Sequence, residues 1–367
     1  MNKIPVFEPE ISLEEKQAVN IALERGEVSG SFGSEIPKFE SDFANYVDCN
    51  YGVAVTSGTT ALHLAVDICD FPEDSEILVS ASTNIATALA VHHNNFKIIP
   101  VDSEEITWNL DLDKVEELIT DKTVAIIPVH LFGHPVDMER LMSIAERHNL
   151  IVIEDCAEAH GAKVNGKIVG SFGHMACFSF YANKIISTGE GGMITTNNKD
   201  YYDKLKLYKN LGFTQPRFYH NIAGYNFRMT GLQAALGNAQ LAKIDRFVET
   251  KRWIAKTYNE YLGSVKEIQT PAELDWAKNV YWMYAITFNA NDGKNRDGLM
   301  THLKNDGIDT RTFFCPMNLQ PFLEAEKYSC PIAENIWKNG LYLPCSYNIS
   351  EDQIKRVCTS IKTYLNK

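Results

Sequence analysis

Residues 51–60 read Tyr51-Gly-Val-Ala-Val-Thr-Ser-Gly-Thr-Thr60 and join a short apolar run directly to a polar, glycine-containing turn. The apolar run predicts a buried strand. After the turn, Leu62, Ala65 and Cys69 are spaced to share one face of a helix. A buried strand that leads straight into an amphipathic helix is typical of α/β folds.

The same alternation continues to about residue 196. Apolar, strand-like runs lie at residues 76–79, 97–101, 124–129, 150–153, 176–180 and 193–196, and helical patterns separate several of them. We therefore predict an α/β large domain with a mostly parallel central sheet, residues 1–240, including an N-terminal arm. A long helical stretch over residues 232–262 leads into shorter alternating segments. These predict a smaller C-terminal α+β domain, residues 241–367.

Composition and charge exclude several classes of protein. The 367 residues are 45% hydrophobic and 22% charged, and their formal net charge of -12 provides no overall basic field for nucleic acid. No apolar run approaches the roughly 20 residues of a membrane span. The first residues lack the layout of a secretory signal. We expect a cytoplasmic protein without nucleic-acid or membrane partners.

The cysteines and histidines do not predict a metal site. The eight cysteines are scattered without a Cys-x-x-Cys pair, which disfavours both zinc ligation and a disulfide framework. His92-His93 and the His130/His134 pair lack a third ligand at a suitable spacing. We expect buried thiols and packed or solvated imidazoles instead.

A lysine occupies an unusual place in the stretch Phe178-Ser-Phe-Tyr-Ala-Asn-Lys184-Ile-Ile-Ser-Thr-Gly-Glu-Gly-Gly-Met193, between an apolar strand and a glycine-rich turn. A lone lysine in a loop is most often a solvated charge. A partly desolvated lysine, however, has a lowered pKa and can act as an amine nucleophile.

Two further strand ends carry polar groups. Asp155 ends the run that starts at residue 151, and a carboxylate there is costly unless a cation meets it. Ser57 and Gly58 open a helix, whose first amides can bind an anion. Each has an ordinary alternative as a helix cap. Together with Lys184 they match pyridoxal phosphate (PLP), which needs a phosphate site, an acidic partner for its ring nitrogen and a lysine.

The chain resembles the nucleotide-sugar aminotransferases of the DegT/DnrJ/StrS group, which have the aspartate-aminotransferase fold (PLP fold type I). The resemblance runs from Ile4-Pro-Val to Leu343-Pro. It rests on long motifs in the same order, at residues 57–65, 130–138, 154–160, 178–193 and 224–230. It implies a PLP-dependent transaminase that works as a homodimer with shared active sites, and it makes residues 1–240 the PLP-binding domain.

The resemblance also implies roles for individual residues. Lys184 would hold PLP as a Schiff base and move a proton, Asp155 would pair with the pyridine nitrogen, and Glu158 would lie near the ring hydroxyl. Asn84 stands where relatives often carry an aromatic ring against the cofactor. The remaining expected cofactor contacts are Ser57, Gly58, Thr59, Ser179 and, reaching across from the partner subunit, Asn226.

The implied reaction transfers an amino group from L-glutamate to C4 of a nucleotide-linked 4-keto-6-deoxy sugar. Residues 130–135 and 180–185 look most like members that convert GDP-4-keto-6-deoxymannose to GDP-perosamine, as in lipopolysaccharide O-antigen biosynthesis. Amination of UDP- or dTDP-4-keto-6-deoxyglucose is the alternative. Arg228 and Arg311 are the expected contacts to the diphosphate. A non-catalytic, ligand-sensing regulator on the same fold is a third possibility, which the intact Lys184 and Asp155 disfavour.

Overall fold

Fourteen strands and twelve α-helices make up the part of the chain that the computed structural model describes, residues 3–216, 218–289 and 294–366. The strands are β1 (Tyr51–Val55), β2 (Glu76–Ser80), β3 (Lys97–Val101), β4 (Thr123–Ile127), β5 (Ile151–Asp155), β6 (Lys163–Val164), β7 (Lys167–Ile168), β8 (Met175–Ser179), β9 (Gly192–Thr196), β10 (Ile268–Gln269), β11 (Ala277–Lys278), β12 (Tyr284–Phe288), β13 (Arg311–Thr312) and β14 (Gly340–Leu343). The helices are α1 (Leu13–Glu24), α2 (Glu35–Tyr46), α3 (Gly58–Asp67), α4 (Ile85–His92), α5 (Leu112–Leu118), α6 (Met138–His148), α7 (Lys199–Tyr208), α8 (Gly231–Leu241), α9 (Ile244–Leu262), α10 (Arg296–Asn305), α11 (Pro331–Asn339) and α12 (Glu351–Leu365).

The large sheet has the strand order β1-β9-β8-β5-β4-β2-β3. Its strands β8, β5, β4, β2 and β3 pair in parallel, whereas β9 is antiparallel to both β1 and β8. This confirms the predicted α/β fold with a mostly parallel sheet. Every residue of β8 and β9 is buried, as expected where helices cover both faces of a sheet.

The smaller sheet, β10-β12-β14-β13, is antiparallel throughout. It lies in the C-terminal part of the chain with α9, α10 and α12, of which α9 and α10 pack against α12. Strand β11 leaves this part and pairs with β6 in a three-stranded sheet with β7. We propose the domain division near residue 240 on this basis.

The long helical stretch over residues 232–262 is two helices. Helix α8 ends at Leu241 and α9 begins at Ile244, with Ala242 and Lys243 forming the turn. Helix α8 packs on α1 and α2, whereas α9 packs on α12. The prediction of one continuous helical stretch was therefore wrong, because the two helices pack against different parts of the chain. None of the described helices is long and apolar enough to cross a membrane.

The N-terminal segment attaches to the C-terminal part of the chain. Ile4 forms a bridge to Ile308, with its amide donating to the Gly307 carbonyl at 2.9 Å. Two residues later the carbonyl of Val6 accepts from the amide of Cys345, also at 2.9 Å. Ile4 is buried. The arm that we assigned to residues 1–240 thus hydrogen-bonds to residues of the smaller domain.

Candidate active site

A cavity of about 270 Å³ lies where β5 and β8 end and α3 begins. Ligands of open α/β sheets bind at this edge, outside the carboxyl ends of the strands. The structure brings together here eight of the residues that the sequence indicated: Ser57, Gly58, Thr59, Asn84, Asp155, Glu158, Ser179 and Lys184.

The first turn of α3 forms one end of the cavity. Ser57 caps this helix, because its Oγ accepts from the Thr60 amide at 3.1 Å while Thr60 Oγ1 accepts from the Ser57 amide at 3.0 Å. The first amides of a helix have no partner within the helix. Those of Gly58 and Thr59 border the cavity, so this end suits a phosphate group.

Glycine permits the close approach that shapes this end of the cavity. A Cβ on Gly58 would lie 2.7 Å from the Cβ of Ser179, at the end of β8. A Cβ on Gly192 would lie 2.3 Å from the carbonyl oxygen of Ser57. Helix α3 can therefore begin directly against the ends of β8 and β9 only because both positions lack a side chain.

Asp155 supplies a buried carboxylate at the end of β5. Its Oδ2 accepts from the hydroxyl of Thr87 at 2.8 Å, and its Oδ1 accepts from the amide of Ala157 at 3.1 Å. Burial raises the pKa of Asp155, although these hydrogen bonds and the nearby Lys184 oppose the shift. In the described residues no cation lies within ion-pair distance of this carboxylate, so the site favours a cationic ligand group.

Glu158 lies in the turn after β5 and is also buried. Its Oε2 accepts from the amide of Phe132 at 2.9 Å. Phe132 has φ of 52°, and this left-handed conformation belongs to a short 3₁₀ turn. Burial raises the pKa of Glu158 to about 7, with Lys184 opposing the shift and Asp155 adding to it.

Lys184 presents an amine that no described carboxylate neutralises directly. Its Nζ lies 4.0 Å from the ring centroid of Trp282, in a cation–π contact. Burial lowers the pKa of Lys184, while Glu158 and Asp155 oppose the shift. The lowered pKa increases the fraction of neutral amine, which is the form that attacks a carbonyl carbon.

A third buried carboxylate, Glu154, supports the site from behind. It accepts from the amides of Gly170, Phe172 and Gly173 at 2.7–2.9 Å and from His130 Nε2 at 3.2 Å. Because His130 Nδ1 accepts from the amide of Val136 at 3.0 Å, Nε2 is the ring nitrogen that donates to Glu154. His130, Glu154 and Cys156 lie close enough together to be candidate metal ligands. The imidazole and the carboxylate of this cluster already take part in the hydrogen bonds described above.

Three expected residues do not line the cavity of the single chain. Asn226 is exposed, and Arg228 donates to Asn210 Oδ1 at 3.0 Å beside a separate cavity of about 230 Å³. Arg311 lies on the exposed strand β13 and pairs with Asp309 at 2.6 Å. Asn84 does border the cavity, where its side chain caps α4 by accepting from the Ala86 amide.

Known proteins resemble this chain in both sequence and fold. The sequence pattern of the DegT/DnrJ/EryC1/StrS aminotransferase family matches residues 9–362. The chain belongs to this family. The GDP-perosamine synthase of Escherichia coli O157:H7 is 40% identical over 365 residues, 99% of each chain. The dTDP-3-amino-3,4,6-trideoxy-alpha-D-glucose transaminase of Streptomyces venezuelae is 32% identical, over 100% of this chain and 97% of that one.

A solved structure shares the whole fold. Streptomyces venezuelae DesV, crystallised in complex with a ketimine intermediate, superimposes with a TM-score of 0.93 and 31% identity over 100% of both chains. The resemblance stated from the sequence is thus confirmed, as is the PLP fold type I. This DegT-family chain is a PLP-dependent sugar aminotransferase.

The shape and the charges of this aminotransferase's site fit PLP independently of the comparisons. The glycine-lined start of α3 leaves space where a Cβ would collide with Ser179. Asp155 is a buried carboxylate that lacks a described cation, and Lys184 is a desolvated amine. These three features match the phosphate, the ring nitrogen and the aldehyde carbon of PLP.

Several cavity residues of the aminotransferase were not indicated by the sequence analysis. Trp282 and Tyr342 line the cavity from the C-terminal part of the chain, whereas Thr87 lies outside the cavity lining and holds Asp155 from the first turn of α4. Thr87 follows Asn84 by three residues, a spacing that places two side chains on one side of a helix. This spacing could have indicated from the sequence that Thr87 lies near the site. No local pattern marks Trp282, because only the tertiary fold brings it beneath Lys184.

Proposed function

We propose that this enzyme transfers an amino group from L-glutamate to C4 of GDP-4-keto-6-deoxymannose and so produces GDP-perosamine. The observation that carries amino transfer is the desolvated, unpaired amine of Lys184 in one cavity with the buried Asp155 carboxylate. The 40% identity to a GDP-perosamine synthase over nearly the full chain supports the choice of sugar.

The residues that would hold PLP follow from the cavity. The first turn of α3 with Ser57, Gly58 and Thr59 would bind the phosphate together with Ser179. Asp155 would bind the ring nitrogen, and Lys184 would bind the aldehyde carbon. When bound, PLP supplies an electron sink for a carbanion next to the reacting nitrogen.

The side chains of the protein then have separate tasks. Asp155, fixed by Thr87 and Ala157, keeps a proton on the ring nitrogen because its negative charge favours the cationic form. The amine of Lys184 would take the proton from the substrate carbon and deliver it to the cofactor carbon, and would move it in the reverse direction in the second half-reaction, for which its lowered pKa is suited. Glu158, whose pKa burial raises to about 7, can donate or accept a hydrogen bond at the ring hydroxyl.

A second candidate is the amination of a UDP- or dTDP-linked 4-keto-6-deoxyglucose. The observation that favours it is the 32% identity, over the whole chain, to a transaminase named for a dTDP sugar. Both candidates use the same donor, cofactor and lysine. They differ only in the nucleotide and in the sugar that the cavity mouth accepts.

We also propose that the active unit is a homodimer with shared sites. Asn226 is exposed and lies outside the cavity of its own chain, which fits a contact to the cofactor phosphate of the partner subunit. Arg228 and Arg311 remain our candidates for the diphosphate because of their places in the stretches 224–230 and 310–316, although neither lines the cavity of the single chain. With a net charge of -12, such local cations are important for binding an anionic substrate.

Kinetics with the GDP-, UDP- and dTDP-linked ketosugars side by side test the proposal, with L-glutamate as the donor. We expect the highest kcat/KM for GDP-4-keto-6-deoxymannose, and an Arg311→Ala variant should raise KM more than it lowers kcat. A Lys184→Ala variant is the blank and should lack turnover and the visible absorption of bound PLP. A clear preference for a UDP or dTDP sugar would replace the GDP assignment with the second candidate.

A further inference from the structure

The backbone carbonyls of the two residues that flank Lys184, Asn183 and Ile185, each accept a hydrogen bond from a side chain of the C-terminal part of the chain. The indole Nε1 of Trp282 donates to the carbonyl of Asn183 at 2.7 Å. The hydroxyl of Tyr347 donates to the carbonyl of Ile185 at 2.6 Å. Neither hydrogen bond belongs to a helix or a strand, so each adds a constraint that secondary structure does not supply.

Both donors are themselves firmly placed. Trp282 is buried, and its ring stacks on Phe132 with the ring planes 12° apart. The ring of Tyr347 packs between Phe247 of α9, at 4.6 Å between centroids, and Phe7 of the N-terminal segment, at 5.9 Å. Because packing already holds both donor side chains, they lose little conformational entropy when they hydrogen-bond to the backbone around Lys184.

We propose that Trp282 and Tyr347 are positioning residues that clamp the backbone of Lys184 from the smaller domain. The indole also supports the amine itself, since Lys184 Nζ lies over its ring. The lysine side chain has four rotatable bonds, so a fixed backbone narrows the positions that its amine samples. Misplacement of a reacting group by about 1 Å is enough to slow a reaction substantially. This inference rests on the proposed role of Lys184.

Tyr347→Phe is the test variant, because it removes only the hydroxyl of the clamp. Tyr258→Phe is the matched control. The Tyr258 hydroxyl is buried and donates to the backbone carbonyl of Pro344 at 2.8 Å, in the same part of the chain but away from Lys184. Both variants lose one tyrosine-to-carbonyl hydrogen bond, so a purely structural effect should appear in both.

The first measurement is hydrogen exchange of the cofactor-free protein. We expect the peptides that cover residues 181–189 to exchange at least threefold faster in Tyr347→Phe than in the unaltered protein, and to remain unchanged in Tyr258→Phe. The measurement needs neither PLP nor a sugar. It therefore separates a failure of the clamp from a failure of the proposed substrate.

The second measurement is the half-reaction with L-glutamate, followed through the visible absorption of bound PLP. We expect Tyr347→Phe to slow this reaction about fivefold, the scale of one neutral hydrogen bond, while the Kd for L-glutamate changes less than twofold. Tyr258→Phe should react at the unaltered rate. The inference is overturned if Tyr347→Phe leaves either exchange or rate unchanged, or if Tyr258→Phe produces the same changes.

Discussion

At the scale of single residues, ionisation of the buried Glu158 carboxyl should lower the stability of the folded protein. Its pKa of about 7 lies above the ordinary 4.5 because the carboxyl is buried. Between these two pH values the folded protein binds more protons than the unfolded chain, so stability falls as the pH rises. The loss should be complete above pH 7. Each pKa unit corresponds to about 1.4 kcal/mol, which gives a loss of up to about 3 kcal/mol.

Glu158→Gln should remove this dependence, because the amide stays neutral and can still accept from the Phe132 amide. We expect the variant to gain stability relative to the unaltered protein when both are moved from pH 5 to pH 8. Chemical denaturation of the two cofactor-free proteins at both pH values measures the difference. An equal change of stability in both proteins would contradict the raised pKa.

The sequence identified those residues of the site whose motifs are local. Lys184, Asp155 and Ser57 could be predicted because each lies at the end of an apolar strand or within a few residues after it, and these strands bring their carboxyl ends to one edge of the sheet. Trp282 and Tyr347 could not, since their contacts with the Lys184 loop span about 100 residues or more of chain. The contact from Thr87 to Asp155 spans 68 residues and likewise depends on the tertiary fold.

At the scale of secondary-structure elements, the start of α3 can be compared with the start of α12. Ser57 and Ser350 form the same capping box, with Thr60 and Gln353 three residues later. Replacement of either serine by alanine should lower stability by about 1 kcal/mol, the usual effect of losing such a cap. Only Ser57 borders the cavity, so only its replacement should affect the cofactor.

We expect Ser57→Ala to raise the Kd for PLP at least fivefold and Ser350→Ala to leave it unchanged. Fluorescence or absorbance titration of the cofactor-free proteins measures the affinity, and denaturation confirms that both have lost similar stability. Equal affinities in the two variants would remove Ser57 from the phosphate site. The amides of the helix start could still bind phosphate in that case.

The break between α8 and α9 is a helix boundary that the local sequence does not predict. Residues 241–244, Leu-Ala-Lys-Ile, contain neither glycine nor proline, and all four are compatible with a helix. The turn forms because α8 packs on α1 and α2 while α9 packs on α12. Tertiary packing, not local propensity, ends the first helix.

At the scale of the whole molecule, the proposed shared sites predict complementation between inactive subunits. Asn226→Ala and Lys184→Ala homodimers should each be defective. In a mixed dimer, one site receives both substitutions and the other receives neither. We expect mixed dimers purified through two different affinity tags to recover about half of the unaltered activity, measured with L-glutamate and the preferred ketosugar. No recovery in the purified mixed dimer would mean that Asn226 acts within its own chain.

The alternation of strands and helices in the sequence predicted the large sheet. It did not predict two pairings between segments that are far apart in the chain. The pairing of β11 with β6 and the bridge from Ile4 to Ile308 join segments of two residues or fewer. Such short segments carry no periodic pattern. Only the assembled fold specifies them.

The contacts of the N-terminal segment also have a consequence for biosynthesis. Residues 4–6 leave the ribosome long before Gly307, Asp309 and Cys345, to which they hydrogen-bond. Because domains fold as they emerge, N-terminal part first, the segment has to wait without these partners while the large sheet assembles. Phe7 then joins Tyr347 only after almost all of the described chain has been translated. Nascent chains stalled before residue 308 should therefore display a protease-sensitive N-terminal segment beside a folded sheet.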